Sequence, residues 1–378
     1  MFHVKHRRRA RARTPLAVVL ALLALLAGGC ATDLGSPDGW AAPVEADGVV
    51  LVQAEKGELV AVRLGDGPAR IAWRFPEDAA LPAGVDPDDL NDIEAFYATP
   101  VFDDGTVYMA SFSGEVMAVD ITGNGPRLAW IRKLTHELVA SPVLHGDVLY
   151  VPTEGGELLP LDAESGAMGE SLATGAERFW SRPAVSGSAI YVAGLDRHVR
   201  AAGVQGGEQW VLELEGAVAG DLLLDGETLF VGALDRRMYA LDVLAAGAER
   251  WRFQGDGWFW ARPLLDGDTL YATTTNGSVY ALDARSGDEQ WRFNELDNEI
   301  RAQPVLVGGI LVVAMRDGVL FGIDPSTGVR QWQQTLAEGK LLADPLVLES
   351  GILYVTDRGD LISVDPRSGA TTTVFEGS

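Results

Sequence analysis

Residues 262–293 (RPLLDGDTLYATTTNGSVYALDARSGDEQWRF) alternate short apolar runs with turn-forming residues. Runs this brief, rich in Leu, Tyr, Val and Thr, have the length and composition of β-strands rather than helices. Asp266-Gly267 closes the first run and Asn276-Gly277 the second, and Asn-Gly supplies the two positive-φ residues that a tight hairpin turn needs. Asp283 opens the turn Asp283-Ala284-Arg285-Ser286-Gly287. Its carboxylate can accept backbone N–H groups there, and the glycine takes the left-handed conformation at little cost. A fourth run carries Trp291. The pattern predicts a four-stranded antiparallel meander, which cannot bury both faces alone and has to be repeated.

The repeat is visible once the position of Asp283 is followed along the chain. Its equivalents are Arg63, Asp120, Asp162, Ala202, Asp242, Asp324 and Asp365, so one step of 57 residues is followed by steps of 40 to 42. A period near 41 is that of a four-stranded propeller blade. Prolines that open the first strand keep the same phase (Pro43, Pro100, Pro142, Pro183, Pro263, Pro304, Pro345), with Leu222 in the missing slot. So do fourth-strand tryptophans: Trp73, Trp130, Trp210, Trp251, Trp291 and Trp332, which are expected to pack between blades. The third repeat has Glu170 at that position. The expected fold is all-β: an eight-bladed β-propeller over residues 40–378. Its first and last repeats are as apolar as the middle ones, so a closed ring is expected, with no strand swap needed to close it. The long step marks an acidic insertion at about 76–95, between blades 1 and 2.

Composition adds a compartment. The net charge is −24, and residues 1–29 hold six bases and no acids, so a chain cleaved there would carry −30. Such a surface repels phosphate backbones, and no nucleic-acid partner is expected. The basic start precedes an apolar run, Leu16 to Ala27, too short to span a bilayer. It ends in Leu26-Ala27-Gly28-Gly29-Cys30, which resembles a bacterial lipoprotein signal. That resemblance implies a signal peptide at 1–29, lipidation of Cys30, a lipid-anchored tether at 30–39 and an extracytoplasmic protein held at the cell membrane or the outer membrane. Ala31, not Asp, follows the cysteine, so the sequence carries no Asp retention signal for the inner membrane. Cys30 is the chain's single cysteine, which leaves no thiol for a disulfide, a thiolate–metal site or a nucleophile.

The stretch Leu270-Tyr271-Ala272 with Asn276-Gly277-Ser278-Val279-Tyr280-Ala281-Leu282-Asp283-Ala284-Arg285-Ser286-Gly287-Asp288-Glu289-Gln290-Trp291 resembles the PQQ-like (pyrroloquinoline-quinone-type) β-propeller repeat, over residues 40–375. That family holds quinoprotein dehydrogenases, which bind PQQ and calcium on the propeller axis, and cofactor-free lipoproteins similar to BamB, scaffolds of the outer-membrane β-barrel assembly machinery. The dehydrogenases stack PQQ between a tryptophan and a disulfide of adjacent cysteines, and this chain has no such pair and no Cys-x-x-Cys-His haem motif. The BamB-like resemblance therefore implies a non-enzymatic protein-interaction scaffold without catalytic residues or cofactors. It would be a monomer within a larger complex, with protein partners in the cell envelope. A quinone-dependent dehydrogenase and a glycan- or peptide-binding surface lipoprotein are the alternatives.

Function in a repeat protein falls to residues that break the repeat. Two before the first-strand proline the residue is always small, as crowding near an axis requires. One before it the set is Ala42, Thr99, Ser141, Arg182, Asp221, Arg262, Gln303 and Asp344; three before it, Trp40, Tyr97, Val139, Trp180, Ala219, Trp260, Arg301 and Leu342. Alternation puts these two sets on one side of the strand. Phe179-Trp180-Ser181-Arg182-Pro183 recurs as Phe259-Trp260-Ala261-Arg262-Pro263 two blades on. Trp180, Arg182, Trp260 and Arg262, with Tyr97 and Trp40, are the candidate partner-binding residues, being of types that dominate binding hot spots. No metal site is expected. The acidic run Asp86 to Asp92 lacks the glycine and terminal glutamate of an EF-hand loop, and His136, His145 and His198 fall at unrelated repeat positions.

Overall fold

The computed structural model describes residues 40–377, apart from 55, 56, 66, 91, 92, 296 and 297. The expected signal peptide, Cys30 and the tether lie outside the described residues. Eight four-stranded antiparallel sheets follow one another along the chain, at 44–75, 101–133, 143–174, 184–213, 223–254, 264–293, 305–335 and 346–375. They are blades 1 to 8. Each is a contiguous meander in simple order, so the eight-bladed β-propeller is observed as expected, and no strand is borrowed to complete a blade.

The second and third strands of each blade are nearly continuous runs of buried Val, Leu, Ile, Ala and Tyr, whereas the fourth strands alternate and face water. Sheets with two apolar faces must be covered on both sides. The core accordingly divides into clusters shared by neighbouring blades, such as Met109 and Val119 with Leu51 and Phe75 between blades 1 and 2. The same holds across the seam: Val50, Val52 and Val60 of blade 1 pack with Leu353, Val355 and Leu361 of blade 8, which closes the ring.

The fourth-strand tryptophans do what their period implied. Each lies opposite a small residue on the third strand of its own blade (Ala118 for Trp130, Ala281 for Trp291), and five of the six, Trp130, Trp210, Trp251, Trp291 and Trp332, stack on the turn glycine of the next blade. Trp251 illustrates the contact. Its Nε1–H donates to the Ala284 carbonyl at 3.0 Å, and a Cβ placed on Gly287 (φ +76°) would sit 2.6 Å from the indole ring. Trp130, Trp291 and Trp332 repeat both features on Gly166, Gly328 and Gly369. The turn is set by the aspartate: Asp283 Oδ1 accepts the N–H groups of Arg285 and Ser286, which holds its carboxyl below the usual carboxylate range.

Two local expectations are corrected. Asn276-Gly277 does not form a turn with two positive-φ residues: Gly277 is left-handed at +84° and Asn276 is not. Gly277 N–H returns to the Thr274 carbonyl and Thr274 N–H to Ser278, a longer loop with one left-handed residue at its end. The fourth strand of blade 3 is not centred on Glu170 but reduced to Ala173–Thr174. Pro160 occupies the third-strand position where other blades pair a small residue with tryptophan, and it has no N–H to offer a neighbour. The insertion lends Leu90 and Ile93 to the cluster between blades 1 and 2, while most of its acids face solvent.

Two alanine substitutions separate turn strain from the inter-blade contact. Gly287→Ala should cost roughly 2–4 kcal/mol, from left-handed strain plus collision with Trp251. Gly267→Ala, also left-handed at +56° but with open space around it, should cost only about 1 kcal/mol. Denaturant midpoints that fall equally for the two would show that the tryptophan contact adds nothing.

Candidate binding site on the propeller axis

First strands of neighbouring blades touch one another, blade 1 to 2, 3 to 4 and 4 to 5, so the segments entering them converge on the axis. The residue two before the proline is small because there is no room for more. Ala98, Ser181 and Ala302 are essentially inaccessible, and a Cβ on Gly220 would lie 2.2 Å from the Trp260 carbonyl oxygen.

The flanking positions surround an axial cavity of about 100 Å³. Every residue three before the proline, or before Leu222 in blade 5, lines it, joined by Thr99, Ser141, Asp221, Arg262 and Asp344 from the set one before. Trp180 and Trp260 meet edge to face at 6.1 Å although two blades apart, because Ala219 between them is short. Trp40 and Tyr97 form a second edge-to-face pair at 4.3 Å, backed by Phe112. Of the six candidate residues the structure thus brings five to one cavity. Arg182 is the exception: its side chain is exposed, and its backbone N–H donates to Asp221 Oδ1 at 2.8 Å.

That bond belongs to a series. Ala42 N–H donates to Thr99 Oγ1, Thr99 N–H to Ser141 Oγ and Gln303 N–H to Asp344 Oδ1, each link running to the next blade. Asp221 and Asp344 are therefore backbone staples of the inner ring. Desolvation raises both, Asp344 to about 6 with a further push from the Asp221 charge, and the Gln303 N–H and the guanidinium groups of Arg262 and Arg182 only partly offset this. Burial likewise lowers Arg262, whose guanidinium makes only long contacts, to the Leu222 carbonyl at 3.4 Å and to Gln303 Oε1 at 3.5 Å.

The repeat pattern does not mark every group that holds the cavity tryptophans. Arg301 lies over the Trp260 ring at 5.1 Å and is held by Glu299 at 2.9 Å; it belongs to the set three before the proline, but no Trp–Arg pair marks it in the sequence. Glu154 accepts the Trp180 Nε1–H and pairs with Arg178 at 3.2 Å, and nothing in the repeat pattern marks it. Trp258, 43% exposed beside Thr275, is the tenth tryptophan; it breaks the repeat but does not line the cavity.

A quinone cofactor with calcium does not suit these residues. Pockets for ligands of that size run to about 300 Å³ or more, well above the space on this axis. Asp221 and Asp344 are each committed to a backbone N–H, and no group of three or more His, Cys, Asp or Glu among the described residues is placed to hold a metal.

Burial pushes Glu154 up to about 7, outweighing the lowering by Arg178 and by the Trp180 hydrogen bond. An acid raised in the folded state binds its proton there first, so its contribution to stability declines as pH rises from the ordinary glutamate range through 7. Tryptophan emission should titrate with a midpoint near 7 and lose that transition in Glu154→Gln. An unchanged titration in the variant would refute the assignment.

Three kinds of comparison bear on the family. The family model for the outer membrane protein assembly factor BamB matches residues 39–171, 168–257 and 243–373. Comparison with curated protein sequences gives no match. Among solved structures, BamB from Moraxella catarrhalis superposes with a TM-score of 0.68 at 19% identity, covering 86% of this chain and 92% of that one. The computationally designed protein Ika8 gives 0.71 at 14%, covering 86% and 96%. A europium-containing methanol dehydrogenase gives 0.64 at 14%, covering 87% and 82%. At these identities the solved structures establish the fold alone, while the family model spans nearly the whole propeller. The chain belongs to the BamB family of PQQ-like β-propellers.

Proposed function

We propose that this protein is a non-enzymatic scaffold of the cell envelope, anchored extracytoplasmically through lipid on Cys30 and acting, as a monomer within a larger complex, by binding protein partners on the face where the axial cavity opens. The observation that carries this reading is the cavity itself. It is walled by Trp40, Tyr97, Trp180 and Trp260, residues the repeat does not require, and it has room for a side chain rather than for a cofactor. A buried aromatic cluster with an arginine beside it is the composition of an anchor pocket. No helix among the described residues is long and apolar enough to cross a membrane, and attachment is assigned to the lipid alone.

The methanol dehydrogenase shares the fold, and its chemistry supplies the rival reading. The misfit of the axis to a quinone and calcium weighs against it.

Three measurements test the proposal. Labelled palmitate should be incorporated by the full-length chain and not by Cys30→Ser. Cross-linking and purification from membranes should return the same protein partner repeatedly, with recovery falling at least tenfold in Trp180→Ala and Trp260→Ala that keep the wild-type melting temperature. Adding PQQ and calcium with alcohols or sugars should reduce no dye. Repeated recovery of no partner, or turnover lost in the tryptophan variants, would overturn the scaffold reading.

A further inference from the structure

The turn between the second and third strands ends, in six blades, on a left-handed glycine: Gly57, Gly114, Gly156, Gly277, Gly318 and Gly359, at φ between +74° and +100°. Blades 4 and 5 place Arg197 (φ +68°) and Arg236 (φ +69°) there. Arginine has no affinity for that region, since its Cβ crowds the carbonyl oxygen that follows. The backbone task is the same in both groups. The Arg197 carbonyl accepts the Leu214 N–H and the Arg236 carbonyl the Gly255 N–H, as the Gly114 and Gly318 carbonyls accept Leu134 and Leu336. In blades 1 to 3 the connection to the next blade leaves no space: a Cβ on Gly57, Gly114 or Gly156 would meet a carbonyl oxygen at 2.4, 2.8 or 2.5 Å. Blades 4 and 5 hold an arginine Cβ at the same place. Glycine would serve the turn better, so the side chains must be the reason for the strain, and strain of this kind gathers at functional sites.

Both arginines are exposed and short of counter-charge. Asp196 is held by Arg200, Asp235 by Arg237 and Tyr239, and Glu215 by Arg237 and Arg252. Among the described residues Arg236 has no carboxylate partner. Arg197 has only Glu213 at 2.7 Å, with both side chains more than half exposed, a pair that contributes little and is easily exchanged. One short connection ties the two turns together. Leu214 N–H binds the Arg197 carbonyl, and the Ala217 carbonyl accepts Leu234 N–H beside Arg236. Three residues span at most about 11 Å, within reach of one peptide. The turns share a face with the cavity mouth, because Glu154, in the equivalent turn of blade 3, is the residue that holds Trp180.

We infer that Arg197 and Arg236 form a two-pronged receptor for the carboxylates of an acidic segment in a protein partner, laid across blades 4 and 5 beside Trp180 and Trp260. The inference rests on the scaffold reading and names the chemistry of what the scaffold holds. An anionic membrane is the poorer occupant. Lipid-surface recognition takes clusters of about four to eight bases. A chain of net charge −24 is also repelled by an extended anionic plane, whereas a narrow acidic segment meets only the two guanidinium groups.

The test uses the purified full-length protein and a fluorescein-labelled hexaglutamate peptide at low salt, with hexalysine and anionic phosphatidylglycerol vesicles as comparison arms. Hexaglutamate should bind saturably. The double variant R197G/R236G should bind it at least tenfold more weakly while melting no lower than wild type, and about 1–3 °C higher per relieved site. R236K should retain part of the binding. Unchanged hexaglutamate affinity in the double variant, a melting temperature below wild type, or tighter binding to the vesicles than to the peptide would each overturn the inference. A membrane partner recovered equally by wild type and R197G/R236G would sink this inference and leave the scaffold standing. Failure of wild type to recover any partner would sink the scaffold, while the peptide titration would still report on the arginines.

Discussion

Five of the eight blade junctions are set by the contact between one blade's outer tryptophan and the glycine of the next blade's turn. A four-stranded sheet with two apolar faces is insoluble alone, and the ring solves this by making each blade the cover of its neighbour. The indole reaches across because a small residue lies opposite it on the third strand, and it seats because the aspartate-led turn presents glycine rather than a side chain. Trp251 on Gly287 also satisfies its Nε1–H on the Ala284 carbonyl, so the same side chain fills space and fixes register. Blade 3, where Pro160 replaces the small residue and no tryptophan follows, has a fourth strand of only two residues.

The axis is governed by the opposite pressure. Eight inner strands converge, so the residues facing one another must be small, and the few large ones have to interlock. Trp180 reaches Trp260 only over Ala219, and Gly220 is tied to the Trp260 backbone by contact. The polar groups beneath are engaged in stapling blade to blade, which leaves Asp221 and Asp344 desolvated and raised. A charged residue on a propeller axis invites a catalytic reading. Here the hydrogen bonds commit these two carboxylates to the frame.

Much of this was legible in residue order. A period of 41, the proline and tryptophan phases and the Asp-to-Gly turns depend only on local turn chemistry and on which faces are apolar, so they survive without coordinates. The small residue before each first strand was legible for the same reason. Glu154 and Arg301 were not equally accessible. Arg301 sat in the aligned set but acquires its meaning from Trp260 beneath it, and Glu154 acts on Trp180 from another blade. The Asn276-Gly277 turn misled because the dipeptide suits two hairpin geometries, and the strand register chooses between them.

The amino-acid order alone determined the number of blades, the meander within each and the candidates Trp40, Tyr97, Trp180, Trp260 and Arg262, because repetition is a property of spacing. Tertiary structure alone decided that these five share one cavity of about 100 Å³, that Arg182 stands outside it, and that Arg197 and Arg236 occupy a conformation glycine fills elsewhere. Distances across the axis and backbone dihedral angles arise from ring closure, which brings together residues some eighty positions apart and leaves no trace in local sequence.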